Sequence, residues 1–318
     1  MDSVRPISTF PELQRLPTQV PGLDTILGGG LMVGDAYLVA GEPGTGKTTL
    51  GNQISFAHAA AGGTVVFATL LTESHDRMLA HLHDFDFADR SLVGDRVHYI
   101  SLLGSLQEGG FEELMRLLVE TLRTHRATLL VIDGAGAARM LADSDFDYAR
   151  FMHGLQARTA LLNCTMMLLA GEREADVAAT HVDGLIQLFN RPTNARDTRW
   201  VRVAKLRGSN YLNGQHRFAI GSNGITVFPR LESASAEAEA AWFQPHERLP
   251  FGVPGLDAMV AGGPQEGSAT LAIGTAGAGK TLLGLHFLAE GARRGEQGLI
   301  ASFNETPRAL AATADGAG

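Results

Sequence analysis

Residues 41–48 read Gly-Glu-Pro-Gly-Thr-Gly-Lys-Thr, the most informative motif in the chain. A short apolar run, Ala36–Ala40, precedes it, and residues 48–61 after it have the composition of a helix. Glycines at these spacings let successive backbone N–H groups turn toward phosphate oxygens, and the helix that follows adds its positive end. The stretch therefore predicts a P-loop, with Lys47 reaching the β- and γ-phosphates of a nucleotide and the Thr48 hydroxyl ligating Mg²⁺.

The same motif occurs a second time farther along the chain. Val20-Pro-Gly-Leu-Asp24 recurs as Val253–Asp257, and the P-loop recurs at residues 274–281, at one constant offset and without a gap. A glycine turn with a solvated lysine is the alternative interpretation of one such motif, and the repetition argues against it. The expected ATP contacts are Gly41, Glu42, Pro43, Gly44, Thr45, Gly46, Lys47, Thr48 and Thr49 in the first copy, and Gly274, Gly277, Ala278, Gly279, Lys280, Thr281 and Leu282 in the second.

The repeat sets the expected domain boundaries. We expect a lead-in over residues 1–19, a first ATPase domain over 20–230 and a linker rich in Ala, Glu and Ser over 231–247. Residues 248–318 are too few for a second full copy, so they predict only its amino-terminal part: one strand, one helix and one further strand.

The first copy alternates strand-like and helix-like segments. Residues 64–71, 128–132 and 165–170 are continuous apolar runs of strand length, and 111–126 places leucines at a helical period. Strands buried on both faces have this composition, which predicts an α/β fold with a mostly parallel central sheet flanked by helices. After Asp183, short strands and Asn-Gly turns predict an antiparallel β extension.

Two further residues belong to the candidate active site. Asp133 ends an apolar strand, where it would hold Mg²⁺ through water; the alternative is an aspartate that caps the next turn. Glu73 follows the strand after the P-loop helix, where a group that orients the attacking water is needed; the alternative is an exposed glutamate at a helix start. The corresponding place in the second copy holds Asn304-Glu305.

A cationic pair, Lys205 and Arg207, follows an otherwise apolar strand. We expect that it cannot reach its own P-loop and that it acts on a neighbouring subunit's nucleotide; an exposed basic turn is the alternative. The acidic residues Asp143, Asp145 and Asp147 are interpreted as a solvated loop.

Composition excludes several classes of protein. The 318 residues are 45% hydrophobic and 19% charged, which excludes wholesale disorder. A formal net charge of −8 argues against non-specific nucleic-acid binding. The single cysteine, Cys164, suits a reducing compartment and is interpreted as a small buried hydrophobe. No run of ~18 apolar residues occurs, so we expect a cytoplasmic protein without a membrane segment.

Together these residues resemble the KaiC family of RecA-type P-loop ATPases. The Val-Pro-Gly-Leu-Asp lead-in with Gly28–Gly30, the P-loop, Asp133, the run Val203–Asn210 and the strand Gly224–Pro229 carry the resemblance. It implies a RecA-like fold, Mg²⁺-dependent ATP hydrolysis and a hexameric ring with ATP at subunit interfaces. It also implies that Lys205 and Arg207 reach the adjacent subunit's phosphates, as arginine fingers do.

The chain departs from the family pattern at three places. The family often has a Glu-Glu pair where this chain has Thr72-Glu73, and a histidine where this chain has Tyr211. The region in which KaiC autophosphorylates lies beyond residue 318. We therefore favour a signalling ATPase that works with a signalling protein partner still to be identified. The alternative is an ATP-gated assembly module with little turnover, and an autokinase or a DNA-acting motor ranks below both.

Overall fold

The computed structural model describes residues 14–70, 75–142, 144–172, 181–193, 196–231 and 247–316. The chain divides into two compact units, Met1–Ala236 and Glu237–Gly318. Most of the predicted lead-in and of the predicted linker lies outside the described residues.

The first unit holds all eleven strands that the structure describes. They are β1 (Arg15–Leu16), β2 (Leu31–Met32), β3 (Ala36–Gly41), β4 (Val65–Thr69), β5 (Val97–Ser101), β6 (Leu129–Asp133), β7 (Thr165–Ala170), β8 (Gly184–Thr193), β9 (Arg196–Leu206), β10 (His216–Gly221) and β11 (Gly224–Phe228). Its helices are α1 (Leu23–Leu27), α2 (Lys47–Ala60), α3 (His75–His81), α4 (Leu103–His125), α5 (Ala135–Met140) and α6 (Asp145–Leu161), with a 3₁₀ turn at Arg90–Leu92. The second unit contains α7 (Pro254–Met259), α8 (Lys280–Arg293) and α9 (Pro307–Gly316).

Nine strands form one sheet in the order β11-β10-β9-β8-β3-β7-β6-β4-β5. The strands from β8 to β5 in this order are parallel, and β9, β10 and β11 continue the sheet with antiparallel pairing. This architecture confirms the predicted RecA-like fold class and its antiparallel extension. No helix of the described residues is both long enough and apolar enough to cross a membrane.

The four central parallel strands, β3, β4, β6 and β7, are buried on both faces. Val39, Phe67 and Val131 belong to one core cluster, on the side that includes residues of α2. Their neighbours Leu38 and Val66 belong to the opposite cluster, which includes residues of α4 and α6. Because alternate residues of a strand point to opposite faces, two covered faces require the continuous apolar runs seen in the sequence.

One predicted helix and one predicted loop differ from the structure for local reasons. α4 begins before the predicted range and contains a non-helical glycine, Gly110 (φ 61°, ψ −160°), so the predicted helix is its second segment. The acidic residues predicted as a loop begin α6 instead: the Ser144 side chain accepts a hydrogen bond from Asp147 N, and Asp145 and Asp147 lie in the first turn. A serine cap and acidic residues at a helix start both stabilise the helix. Asp143 lies outside the described residues.

The second unit lacks the two strands predicted for it. Residues 269–274 and 298–302, which correspond to β3 and β4, form no strand, and Leu310 is the one buried hydrophobic side chain among this unit's described residues. In the first unit β3 pairs with β7 and β8, while β4 pairs with β5 and β6. Residues 248–318 include no counterparts of those four partners, and β3 and β4 are not neighbours in the sheet, so their counterparts cannot pair with each other.

A buried glutamine joins the P-loop helix to the antiparallel extension. Gln53 is 4% exposed, donates from Nε2 to Ile225 O (3.1 Å) and accepts from Ile225 N (2.7 Å). Gly224, with φ of 88°, packs against it: a Cβ there would lie 2.6 Å from Gln53 Oε1. The side-chain amide therefore acts as an extra strand partner for β11.

We expect Gln53→Leu to lower the free energy of unfolding by about 2–4 kcal/mol, because it leaves two buried backbone groups of Ile225 without their side-chain partner. Urea denaturation followed by circular dichroism measures the change. Gln107→Leu, at an exposed position of α4, is the matched control and should leave stability nearly unchanged. Equal stability of the two variants would contradict the role assigned to Gln53.

Candidate nucleotide site

The P-loop lies at the carboxyl end of β3 and leads into α2. Gly44 (φ 79°) and Gly46 (φ 102°) adopt left-handed conformations that side chains disfavour. Gly46 is the N-cap residue of α2 and provides no side-chain cap. The first backbone N–H groups of this 14-residue helix are therefore placed to bind an anion.

Lys47 folds back along the loop. Its Nζ donates to Gly41 O (2.7 Å) and Glu42 O (3.0 Å). Thr45 Oγ1 donates to Glu42 O (2.8 Å) from within the same turn. These bonds hold the ammonium group at the loop, where an incoming phosphate would meet it.

Thr48 and Asp133, which are far apart in sequence, meet at this loop. Thr48 Oγ1 donates to Asp133 Oδ2 at 2.7 Å, and Asp133 is 4% exposed at the end of β6. Mg²⁺ prefers oxygen ligands and retains several waters, binding through one or two protein groups plus substrate phosphates. A hydroxyl and a carboxylate side by side fit that requirement, so the structure brings together the two predicted metal-binding residues.

A cavity of about 660 Å³ opens above these groups. The P-loop and α2 form one side, and the segment from Asp133 to Met140 with the end of β7 forms another. Ile220 of β10 also lines the cavity, and its side chain packs against Gly46, where a Cβ would lie 2.8 Å from Ile220 Cδ1. Ile220 was not predicted, since nothing in the sequence signals that the β10–β11 hairpin reaches the P-loop.

Glu73, the predicted water-orienting residue, lies outside the described residues. Its assignment therefore stays a prediction.

Lys205 and Arg207 lie at the other end of the sheet. Gly184 pairs with both Tyr37 and Leu206, which places the cationic pair at the start of β3, while the P-loop follows its end. A strand of six residues spans roughly 20 Å. The structure therefore does not bring these cations to the P-loop of the same subunit.

Lys205 and Arg207 are both bonded to the segment that enters β8. Lys205 Nζ donates to Val182 O (2.6 Å), and Arg207 NH1 donates to Asp183 Oδ1 (3.1 Å). Asp35 lies nearby: burial, and next the charge of Asp183, raise the pKa of its carboxyl from 3.8 to about 6, while Arg207 acts in the opposite direction. This edge of the sheet thus holds two carboxylates next to an arginine.

The second P-loop repeats the local geometry of the first. Lys280 Nζ donates to Gly274 O (2.8 Å) and Thr275 O (2.7 Å), as Lys47 does at its own loop. Thr281 Oγ1 donates to Glu305 Oε1 at 3.1 Å. Gly277 and Gly279 have φ values of 79° and 86°, close to those of their counterparts.

The repeat also extends farther toward the amino terminus than Val20. Arg15 NH1 donates to Leu27 O and Gly30 O, and Arg248 NH1 donates to the corresponding oxygens of Val260 and Gly263. Arg-Leu-Pro begins both segments, a signal that was present in the sequence and could have been used.

Comparison with known proteins agrees with the motifs. A family model described as "ATPase: KaiC" matches residues 16–232 and 249–318. The chain is 31% identical to the circadian clock oscillator protein KaiC of Picosynechococcus sp. and 30% identical to KaiC 1 of Synechocystis sp.. Each match covers 95% of this chain and 60% of the relative, so the chain spans about three fifths of the length of these proteins.

We expect Asp35→Asn to stabilise the protein more at pH 8 than at pH 4. The folded-state pKa of Asp35 lies near 6, above its unfolded value of 3.8. At a pH between these two values, the carboxyl is protonated in the folded state and ionised in the unfolded state. Stability of the parent protein therefore falls as pH rises from about 4 to 6, and the asparagine variant lacks this loss. Urea denaturation across this pH range measures the difference.

The control for this experiment is Asp197→Asn, at an exposed position of β9. Its stability should follow the parent protein at every pH. A difference between Asp35→Asn and the parent protein that does not change with pH would show that Asp35 has an ordinary pKa.

Proposed function

The chain belongs to the KaiC family of ATPases, and we propose that it binds ATP with Mg²⁺ at the P-loop of its first unit and hydrolyses it. We further propose that the neighbouring subunit of a hexameric ring completes each site. The observation that carries the proposal is the contact between Thr48 Oγ1 and Asp133 Oδ2 (2.7 Å) beside an uncapped helix start. We also propose that the chain is a cytoplasmic ATPase that works with a signalling protein partner, as its resemblance to the KaiC family implies.

The proposed roles follow from position. Backbone N–H groups of the P-loop bind the phosphate oxygens, and Lys47 moves from the carbonyls of Gly41 and Glu42 to the β- and γ-phosphates. Thr48 and Asp133 would hold Mg²⁺, which when bound supplies positive charge against the phosphates. Glu73 orients the attacking water and accepts its proton.

The neighbouring subunit supplies the remaining positive charge. Lys205 and Arg207 stand at the opposite end of β3 from the P-loop, so they serve a nucleotide held by another subunit. Charge placed where it develops in the transition state accelerates phosphoryl transfer without a covalent step.

The second P-loop offers the same local backbone for phosphate. We propose that Gly274, Gly277, Ala278, Gly279, Lys280, Thr281 and Leu282 form a second nucleotide contact. We assign turnover to the first unit, where Thr48 Oγ1 and Asp133 Oδ2 meet.

A second candidate function is an ATP-gated assembly module with little turnover. The single carboxylate of Thr72-Glu73, where the family often has two, favours it. The two functions predict different results in the next experiment.

We expect the rate of phosphate release per subunit, measured with ATP and Mg²⁺, to rise with protein concentration, because assembly completes each site. The double variant Lys47→Ala/Lys280→Ala is the control and should bind no ATP by calorimetry. Bound ATP with no release at any concentration would favour the assembly module. Retained ATP affinity in the double variant would overturn the P-loop assignment.

We expect Arg207→Ala to lower turnover about a thousandfold while ATP affinity is kept, because the charge acts in the transition state of a neighbour. Lys47→Ala subunits keep Arg207 and lack a working P-loop. An equal mixture of the two variants should therefore regain about a quarter of the parental rate, if subunits mix at random in a ring and sites act independently. A mixture as inactive as its components would show that Arg207 does not act between subunits.

A further inference from the structure

Lys205 and Arg207, the two cations proposed to act on a neighbouring subunit's nucleotide, both form hydrogen bonds to residues 182 and 183. Lys205 Nζ bonds to the backbone carbonyl of Val182, and Arg207 bonds to Asp183 twice: through NH1 to the carboxylate and through its backbone N to the carbonyl (3.0 Å). Two consecutive residues thus fix the positions of both side chains.

Asp183 is itself anchored to the rest of the fold on three sides. Its Oδ2 accepts from Ala36 N (3.1 Å) and from Gln156 Nε2 of α6 (2.9 Å), and its backbone N donates to Ala36 O (2.8 Å). Its side chain is only 14% exposed. Hydrogen bonds from β3 and α6 therefore hold the carboxylate in a fixed position at the entry to β8.

Arg207 differs from its anchor in exposure. Its side chain is 64% exposed, and within the described part of the chain only NH1 of the guanidinium has a hydrogen-bond partner. A fixed carboxylate holds NH1, while most of the side chain stays open to solvent. A cation prepared in this way loses less conformational freedom when it meets a phosphate.

We propose that Asp183 is a positioning residue for the trans site: it holds Arg207 in the orientation in which the guanidinium meets the neighbouring subunit's nucleotide. This inference rests on the proposed trans arrangement and adds a residue that contacts neither ATP nor the reacting atoms. The Arg207 guanidinium is largely exposed, so its bond to Asp183 contributes little to fold stability, and we assign that bond a geometric purpose.

Asp183→Asn removes the charge and one of the two acceptor oxygens. Steady-state phosphate release should show a kcat lower by about tenfold to a hundredfold, because a misplaced cation costs that much, with ATP affinity by calorimetry unchanged. Mixing Asp183→Asn subunits with Lys47→Ala subunits should restore turnover, since Lys47→Ala subunits present a well-placed Arg207. Mixing them with Arg207→Ala subunits should restore nothing.

Asp95→Asn is the matched control. It makes the same substitution at an exposed aspartate beside β5, the edge strand farthest from β8 and β9 in the sheet, so kcat should stay within about twofold of the parental value. If Asp183→Asn fails to bind ATP, the same measurements are made on Asp183→Glu, which keeps the charge but displaces the carboxylate. That variant should also lose kcat and be rescued by Lys47→Ala subunits.

The outcomes separate this inference from the proposed function. If Arg207→Ala and Lys47→Ala subunits do not rescue each other, the trans arrangement fails and the role of Asp183 fails with it. If they do, a parental kcat in the Asp183 variant, or a loss that Lys47→Ala subunits do not rescue, overturns the role of Asp183 alone.

Discussion

Backbone hydrogen bonds along both edges of β3 hold the P-loop in place, and the rest of the first unit depends on them. β3 pairs with β7 on one side and with β8 on the other. A strand paired on both edges leaves its backbone groups satisfied inside the core, so the loop after Gly41 starts from a fixed point. Through β7 and β6 the same sheet places Asp133 next to Thr48. Through β8 it places Asp183 next to the start of β3.

The two copies of the motif separate local from non-local causes of structure. Hydrogen bonds between residues close in sequence occur in both copies, including those of Lys47 and Lys280 to their own loops. The strand before the loop occurs only where its distant partners are present. Gly51 shows the same dependence: a Cβ there would lie 2.9 Å from Leu169 of the sheet, whereas Gly284 has nothing within 4 Å. The close approach of the P-loop helix to the sheet at this glycine therefore occurs only in the first copy.

The sequence could predict the elements whose signals are local or periodic. The apolar runs located β3, β4, β6 and β7, and the motifs indicated that Thr48 and Asp133 act together. It could not predict the contact between Asp183 and Arg207 or the position of Ile220, because both depend on the register and folding of the antiparallel strands. The strands predicted in the second copy were wrong for the same reason. An apolar run indicates that a segment can be buried, but a strand also needs a neighbouring strand to pair with.

The proposed division of the site between two ends of one sheet also limits how subunits can associate. In a two-fold dimer both partners use the same patch, so a donor end and an acceptor end would have to lie within one surface. Here Arg207 stands at the start of β3 and the P-loop at its end. Contacts that join one end to the other are head-to-tail, and they close only as a ring or continue as a filament. A fixed Arg207 makes each such contact the same, and the rotation between successive subunits then decides whether the contacts close.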